Sequence, residues 1–273
     1  LLNVRLASAE AVQLSERIME AMYYAAVRQS VELAKRDGAY SSFAGSPASR
    51  GELQFDLWDK SDYVHATYGR DRWQHLREQV MEHGMRNSLL IAPMPTASTS
   101  QILGCTESFE PILTNAYTRG TLAGDFFVVN ARLVKALEAH GLWTDATRTA
   151  LVRDRGSAQN LGLPPAVAEV YKTAWELSMK WVIDHAAARG PFVCQSQSLN
   201  LYMGVPTTGK LSSMHFYAWK RGLKTGCYYL RSRPAADAIQ FSLPTSGSAA
   251  SAAPAEPPAP SPAACARAAV VEE

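Results

Sequence analysis

The chain has 273 residues, of which 47% are hydrophobic and 19% are charged. This composition is typical of a soluble globular protein that forms one large or two small domains. The 27 basic and 25 acidic residues leave a net charge of +2, so nothing favours nucleic acid or an anionic membrane as a partner. No apolar run approaches the ~20 residues that a membrane-spanning helix needs.

The cysteine and histidine patterns argue against a metal centre. The four cysteines lie far apart without a CxxC pair, which disfavours both a zinc site and a disulfide framework. No histidine is paired with a cysteine or an acid at ligand spacing, so we expect no metal. Unpaired cysteines are typical of a reducing compartment, and we expect the cytoplasm. Because the chain begins with Leu1 instead of methionine, we also expect a fragment that lacks an upstream part.

Hydrophobic periodicity predicts two helices in the first part of the chain. The first spans residues 15–36 and stops at Gly38. A loop rich in Gly, Ser and Pro covers residues 39–51, and a second helix closes at Gly84. The short apolar run at residues 88–92 is typical of a strand that is buried on both faces.

Strands and helices alternate in the second half. A strand at residues 125–129 leads to Asn130, a typical helix N-cap. A long helix opens at Pro164 and Pro165 and keeps one apolar face until Gly190. The remaining predicted elements are a strand at 192–203, a turn at 204–209, a helix that carries Met214, Phe216, Trp219 and Leu223, and a strand at 227–231. This order favours an α/β fold with a parallel sheet or barrel.

The composition changes after Phe241 to mostly Ala, Pro and Ser. Such a segment buries too little apolar surface to offset its conformational entropy. We therefore expect an ordered domain over residues 1–241 and a disordered tail over residues 242–273.

The stretch PMPTASTS follows the strand predicted at residues 88–92 and carries four hydroxyl side chains. Thr96, Ser98 or Thr99 could cap a helix that continues into Gln101. The first turn of a helix has unpaired N–H groups and the positive end of the helix dipole, so the same residues suit a phosphate group. Spacing alone favours the ordinary cap and leaves the anion site as the alternative.

The stretch GVPTTGK, from Gly204 to Lys210, nearly matches a phosphate-binding P-loop. However, Leu211 stands where magnesium binding needs Ser or Thr, and Pro206 removes a backbone N–H group. A plain turn from strand to helix is the favoured interpretation. The alternative is a P-loop nucleotidase with magnesium-dependent ATP binding at Lys210.

Tyr228 and Tyr229 are adjacent in a predicted strand. Strand packing explains them, because aromatic residues favour strands and neighbouring side chains point to opposite faces. The functional alternative is a radical relay, since a phenol can lose an electron and a proton together.

Glu107 and Glu110 lie three residues apart on a predicted helix face. This spacing favours a solvated pair over a catalytic acid–base dyad.

Four stretches together resemble one known family. They are RNSLLIAPMPTAST at residues 86–99, QSQSLN at 195–200, SMHFY at 213–217 and GLKTGCYYLR at 222–231. They closely resemble the C-terminal portion of the large subunit of class I ribonucleoside-diphosphate reductase, of the eukaryotic or large-DNA-virus type. Similar stretches run from about residue 14 to residue 241, so the resemblance covers most of the predicted ordered domain.

The resemblance implies an enzyme with a ten-stranded α/β barrel that reduces ribonucleoside diphosphates to deoxyribonucleoside diphosphates, by a radical mechanism, for DNA precursor synthesis. The residues that match its substrate-phosphate segment are Pro95, Thr96, Ala97, Ser98 and Thr99. Tyr228 and Tyr229 match the paired tyrosines that transfer the radical from a metal-bearing small subunit toward the active-site cysteine.

The resemblance also implies partners and upstream sites. The family forms homodimers of large subunits, and thioredoxin or glutaredoxin serves as the reductant. The catalytic cysteines and the sites for allosteric ATP and deoxynucleotides lie upstream of the present segment, which has no cofactor of its own. We therefore expect the fragment alone to be inactive.

The cysteines depart from the family pattern. The family's tail ends in a cysteine pair that relays electrons, whereas this tail has Cys265 alone, and a lone thiol forms no disulfide within its own tail. Cys105, Cys194 and Cys227 match no catalytic cysteine, so we expect structural roles. A non-catalytic homologue or a partner-binding fragment of the same subunit is the alternative hypothesis.

Overall fold

The computed structural model describes residues 3–58, 67–121 and 124–233. The chain divides into two compact units, Leu1–Gln240 and Phe241–Glu273, and all the described residues belong to the first. The predicted tail with Cys265, and also His65, lie outside the described residues.

Helices are the commonest regular elements of the described chain. They are α1 (Ala9–Asp37), α2 (Gly69–His83), α3 (Ala97–Leu103), α4 (Ala131–Ala139), α5 (Asp145–Arg153), α6 (Pro165–Ala168), α7 (Met179–Arg189) and α8 (Thr208–Lys220). Short 3-10 helices occur at Ala48–Arg50, Gln54–Leu57, Glu169–Tyr171 and Gly190–Phe192.

The described strands form two small sheets. Strands β1 (Ala116–Thr121) and β2 (Gly124–Val129) pair as an antiparallel hairpin, while β3 (Leu201–Met203) and β4 (Leu230–Ser232) pair in parallel. The parallel pair confirms one predicted strand–helix–strand unit, since α8 makes the crossover that parallel strands require. Strand β2 confirms the strand predicted at residues 125–129, but its hairpin partner β1 was not predicted, and of the strand predicted at residues 192–203 only β3 is formed.

Helix α1 confirms the predicted stop at Gly38 but begins earlier than predicted, at Ala9 instead of residue 15. Ser8 is its N-cap, and the Ser8 Oγ accepts a hydrogen bond from Ala11 N at 3.1 Å. The helix ends at Gly38, whose φ of 81° is easily adopted only by glycine. On the buried face, the Glu20 carboxylate accepts a hydrogen bond from Trp73 Nε1 of α2 at 3.1 Å, which fixes the contact between the two helices.

Apolar side chains collect in three clusters that follow the chain. The first joins α1, α2 and residues 192–193, the second joins α4, α5 and residues 158–171, and the third joins α7, β3 and α8. The fully buried large side chains include Trp73, Phe55, Phe192, Leu76, Leu133, Leu137, Leu151, Ile183 and Leu201. The third cluster supports the strands that carry the candidate site.

The long helix predicted over residues 165–190 is wrong, because the chain leaves helical geometry between α6 and α7. There, the backbone N–H of Thr173 donates to Glu176 Oε2 at 2.7 Å, and Ala174 N donates to the carbonyl of Ile112 at 2.8 Å. These bonds take the N–H groups that a continuous helix would use internally.

The strand predicted at residues 88–92 is also absent. The carbonyl of Ile91 accepts from Cys194 N at 3.0 Å, and Leu90 N donates to Cys194 Sγ at 3.3 Å. Leu90 and Ile91 pack against the first cluster, but Leu89 is 54% exposed. Contact on one side with a single neighbouring segment does not make a strand that is buried on both faces.

Candidate functional site

The segment of residues 95–99, here named the hydroxyl segment, lies at the start of a helix as predicted. Thr96 occupies the N-cap position of α3, and its carbonyl accepts from Ser100 N at 2.8 Å. The Thr96 side chain does not cap the helix, because its Oγ1 accepts from the backbone N–H of Ser108 at 2.9 Å. The first-turn N–H groups of α3 are therefore without a side-chain cap, next to the exposed Ser98 and Thr99.

The loop at residues 105–110 returns toward the hydroxyl segment. Glu107 and Glu110 lie in this loop, so their predicted position on a helix face is wrong. The interpretation of Glu110 as a solvated residue is also wrong, because its Oε1 accepts from Asn200 Nδ2 and its Oε2 accepts from the Tyr202 hydroxyl. The loop is thus attached to β3 through one carboxylate.

The rings of Tyr228 and Tyr229 are in contact. Their centroids are 4.3 Å apart with an interplanar angle of 57°, and each residue is 52% exposed. Both precede β4, so they are free of strand alternation and the strand-packing interpretation is wrong. The neighbouring Tyr229 phenol raises the pKa of Tyr228, and the Arg231 guanidinium lies 5.5 Å from the centre of the Tyr229 ring.

The residues just before β3 contact Tyr229 and the chain two residues before the hydroxyl segment. Ser198 Oγ donates to the carbonyl of Pro93, next to the hydroxyl segment, at 3.0 Å. Asn200 Oδ1 accepts from the backbone N–H of Tyr229 at 3.1 Å, while its Nδ2 faces Glu110. Sequence reasoning did not single out these two side chains, although both lie in the QSQSLN stretch. The structure therefore brings the tyrosine pair and the chain just before the hydroxyl segment to one short stretch of chain.

A cavity of about 210 Å³ adjoins Glu110. Its lining residues are Leu6, Thr106, Phe109, Glu110, Val182, His185 and Arg189, and they include neither the hydroxyl segment nor the tyrosine pair. Arg189 is 3% exposed and donates to Gln197 Oε1 at 3.0 Å and to Ser15 Oγ at 3.1 Å. Burial lowers the pKa of Arg189 to about 9 and also lowers the pKa of His185. His185 lies buried within α7.

The GVPTTGK stretch forms a turn between β3 and α8. Thr207 is the N-cap of α8, and its Oγ1 accepts from Lys210 N at 3.3 Å. The Lys210 side chain is exposed on the first turn of the helix. The interpretation as a plain strand-to-helix turn is confirmed.

The described cysteines differ in their surroundings. Cys194 and Cys227 are half-buried against the first and third clusters, and burial raises the pKa of Cys227. Cys105 is exposed and belongs to none of the clusters. The surroundings of Cys194 and Cys227 are therefore consistent with structural roles, whereas those of Cys105 are not.

The described part of the chain has neither a metal-binding cluster nor a membrane-spanning helix. Across residues 3–58, 67–121 and 124–233, no group of three or more His, Cys, Asp or Glu residues is placed to hold a metal ion. Within the same ranges, none of the helices has the length and apolar character to cross a membrane.

The helices and the parallel strand pair place the protein in the α/β class. The family model described as ribonucleotide reductase, barrel domain, matches residues 1–229. The chain belongs to the ribonucleotide reductase family, and it matches the family's barrel domain. The resemblance found in the four sequence stretches is thereby confirmed, although the strands among the described residues do not by themselves close a barrel.

Several relatives are similar over most of this chain. The ribonucleoside-diphosphate reductase large subunit of Trypanosoma brucei brucei is 52% identical over 89% of the chain, which covers 30% of that protein. Large chain 2 of Saccharomyces cerevisiae is 48% identical over 89% of the chain, which covers 28% of that protein. The large subunit of Vaccinia virus is 48% identical over 89% of the chain, which covers 31% of that protein.

A solved structure shows the same fold. The alpha subunit of the class Id ribonucleotide reductase of Actinobacillus ureae aligns with a TM-score of 0.63 and 28% identity, over 85% of this chain and 36% of that one. The chain thus spans about 30% of the length of the curated relatives that it matches.

Proposed function

We propose that the chain is part of the catalytic large subunit of a ribonucleoside-diphosphate reductase, which reduces ribonucleoside diphosphates to deoxyribonucleoside diphosphates for DNA precursor synthesis. In this proposal residues 1–241 form the C-terminal portion of the catalytic barrel, and residues 242–273 form its tail. The observation that carries the proposal is that residues 198–200 contact both Tyr229 and Pro93, which lies two residues before the hydroxyl segment.

The hydroxyl segment binds the substrate diphosphate in this proposal. Its support is the exposed first turn of α3, where backbone N–H groups without a side-chain cap adjoin the hydroxyls of Ser98 and Thr99. The Thr96 hydroxyl is engaged with Ser108, so Thr96 shapes the loop and the other two hydroxyls are available to the phosphates.

Tyr228 and Tyr229 transfer the radical in this proposal. A phenol gives an electron and its proton to a neighbouring phenoxyl radical, which becomes a phenol while the donor becomes the radical. Their ring contact at 4.3 Å supports such an exchange, because hydrogen-atom transfer needs adjacent groups. The neutral phenols are the starting state, which fits the raised pKa of Tyr228.

The same proposal includes partners outside this chain. A metal-bearing small subunit supplies the radical, a second large subunit forms the homodimer, and thioredoxin or glutaredoxin restores the reduced state. The proposed location is the cytoplasm. Allosteric nucleotides bind a part of the large subunit that this chain does not include, and a redox role for Cys265 in the tail is part of the proposal.

A chimera tests the proposal. This chain would replace the matching segment of the Trypanosoma brucei brucei large subunit, which is 52% identical, and the chimera would be combined with that organism's small subunit. We expect reduction of cytidine diphosphate. Tyr228→Phe and Tyr229→Phe should each abolish turnover while the dissociation constant for the diphosphate stays unchanged.

Tyr117→Phe is the matched control, because Tyr117 is an exposed tyrosine of β1 outside the proposed relay. It should leave turnover unchanged. Normal turnover in either relay variant would contradict the radical assignment. A folded chimera that binds the diphosphate without reducing it would favour the alternative of a non-catalytic homologue.

A further inference from the structure

The Glu110 carboxylate joins two side chains of the stretch that carries β3. Its Oε1 accepts a hydrogen bond from Asn200 Nδ2, and its Oε2 accepts one from the Tyr202 hydroxyl. Burial and the neighbouring Glu110 raise the pKa of Tyr202, so the phenol stays protonated and keeps donating to the carboxylate. Trp175 packs edge-on against the Tyr202 ring at 5.4 Å and restricts its position.

The orientation of the Asn200 amide follows from this arrangement. Asn200 is 5% exposed, and its amide has a donor side and an acceptor side that point in different directions. Because Glu110 takes the donor side, the acceptor Oδ1 faces the backbone N–H of Tyr229 at 3.1 Å. A reversed amide would place its NH2 group against that N–H. Both groups are hydrogen-bond donors, so no hydrogen bond could form between them.

We propose that Glu110 is a positioning residue that acts through Asn200 to hold the ring contact between Tyr228 and Tyr229. The inference rests on the proposed function in one respect, namely that the tyrosine pair transfers a radical. Nothing in the family resemblance assigns this role to Glu110.

Glu110 also connects the tyrosine pair with the substrate side of the site. It ends the loop whose Ser108 N–H donates to the Thr96 side chain in the hydroxyl segment, and its own carbonyl accepts from Thr106 Oγ1 at 2.8 Å. Asn200 contacts both Glu110 and the backbone of Tyr229. It therefore connects the loop at residues 105–110, which holds the hydroxyl segment, to the tyrosine pair.

The fold near the pair does not depend on Glu110. Tyr228 N donates to the Leu199 carbonyl at 2.6 Å, and Leu201 N donates to the Tyr229 carbonyl at 2.9 Å. Neither bond involves the Glu110 carboxylate. Changes at Glu110 should therefore alter the geometry of the rings before they unfold the protein.

Exchanging the amide and the carboxylate between positions 200 and 110 tests the proposal. Asn200→Asp places a second carboxylate against Glu110, and the two repel each other at about pH 8. The double variant Asn200→Asp with Glu110→Gln restores the contact with reversed polarity, because the glutamine Nε2 donates to the new aspartate and its Oε1 still accepts from Tyr202. The control is Asn200→Asp with Glu107→Gln, which removes the same charge three residues away.

The readout is the 19F NMR spectrum of the full chain labelled with 3-fluorotyrosine, in which Tyr228→Phe and Tyr229→Phe identify the two signals. We expect Asn200→Asp to move both signals toward the position of free fluorotyrosine. Adding Glu110→Gln to this variant should restore the signals, whereas adding Glu107→Gln should leave them shifted. Unchanged signals in Asn200→Asp, or equal restoration by the two glutamines, would overturn the proposal. If Asn200→Asp does not fold, the Glu110→Ala variant provides the test. Its Tyr228 and Tyr229 signals should shift only if the Glu110 carboxylate holds the ring contact.

Activity of the chimera gives an independent readout. There Asn200→Asp should lower kcat about 100-fold without changing KM for the diphosphate, since a misplacement of about 1 Å has an effect of this size. Glu110→Gln should restore kcat in the same background. The NMR result is independent of any radical chemistry, so failure of the positioning role and failure of the proposed function are distinguishable.

Discussion

Asn200 Oδ1 lies 3.1 Å from the backbone nitrogen of Tyr229 and accepts its hydrogen bond. The residues on either side of Asn200 continue the contact through their backbones, as Leu199 accepts from Tyr228 and Leu201 donates to Tyr229. Three consecutive residues at the start of β3 therefore hold both tyrosines. These contacts with the backbones of Tyr228 and Tyr229 therefore determine where the two exposed rings lie.

Exposed hydroxyls of the hydroxyl segment should contribute to phosphate affinity. In the chimera, Thr99→Val should raise KM for the diphosphate about tenfold, because one hydrogen bond to a charged group is lost. Thr118→Val is the control, since Thr118 is an exposed threonine in β1, away from α3. Steady-state kinetics measure both, and an equal KM in the two variants would contradict phosphate binding at this segment.

Asn115 should be essential for the attachment of the β1–β2 hairpin. Its Nδ2 donates to the carbonyls of Gly156 and Tyr171 at 2.8 and 2.9 Å, and its Oδ1 accepts from Asn130 Nδ2 at 2.9 Å. Asn115→Ala leaves these buried partners unsatisfied, so we expect a loss of about 3 kcal/mol in the free energy of unfolding. Urea denaturation measures the loss.

The matched control for Asn115 is Asn160→Ala. Asn160 is exposed, and its contact with Asp154 is 3.3 Å long. Its substitution should change the free energy of unfolding by less than about 0.5 kcal/mol. Similar losses in the two variants would show that the buried network of Asn115 is unimportant.

Gly156→Ala should be among the more damaging single substitutions. Gly156 has a φ of +79°, and an added Cβ would lie 1.9 Å from Thr114 Oγ1 and 2.7 Å from Asn115 N. Left-handed backbone costs about 1 kcal/mol for alanine, and the clash with a backbone atom adds to it. We expect a total loss above about 3 kcal/mol.

Gly141→Ala separates the two contributions at Gly156. Gly141 has a φ of +67° with open space around the position of a Cβ, so only the backbone cost of about 1 kcal/mol applies. Thermal or urea denaturation compares the variants. If Gly141→Ala were as destabilising as Gly156→Ala, the close approach to Thr114 would have no energetic role.

His185 should make the stability depend on pH. It is 9% exposed, and its Nε2 lies 2.9 Å from the carbonyl of Leu6. Burial lowers its pKa, and Arg189 acts in the same direction. The unfolded chain therefore takes up a proton on this ring at a higher pH than the folded chain does, so the free energy of unfolding should fall as the pH drops below about 6.5.

His185→Gln tests this pH dependence. Glutamine keeps an N–H donor for the Leu6 carbonyl but does not titrate, so the decline between about pH 7 and pH 5.5 should be smaller than in the unaltered chain. His140→Gln is the control, because His140 is exposed at the end of α4. An identical decline in all three proteins would exclude His185 as its source.

Local signals predicted the helices where neighbouring residues alone decide the structure. Helix α1 and its stop at Gly38, helix α2, and the N-cap role of Asn130 were all predicted from periodicity and cap residues. These predictions succeed because a helix is stabilised by contacts three and four residues apart. The break between α6 and α7 was missed, since the bond from Ala174 to Ile112 joins positions that are distant in the sequence.

The candidate site could be predicted only in part. Its two motifs were identified from their residues, and the family resemblance gave them roles. Glu110 was misread, because its spacing from Glu107 carries no information about Asn200 or Tyr202, which lie 90 and 92 residues further along the chain. The amide of Asn200 had no distinguishing sequence signal apart from its place in QSQSLN.

The amino-acid sequence by itself determined some helix ends, such as the stop at Gly38 and the N-cap at Asn130, as well as the family and the positions of the hydroxyl and tyrosine motifs. Each of these depends on residue type and short-range spacing. Only the tertiary structure decided that residues 198–200 contact both Tyr229 and Pro93, just before the hydroxyl segment, and that Glu110 faces Asn200. Such contacts arise when packing of the third cluster brings β3 beside β4 and the loop after α3 onto β3. This packing joins residues that are distant in the sequence, so no local pattern predicts it.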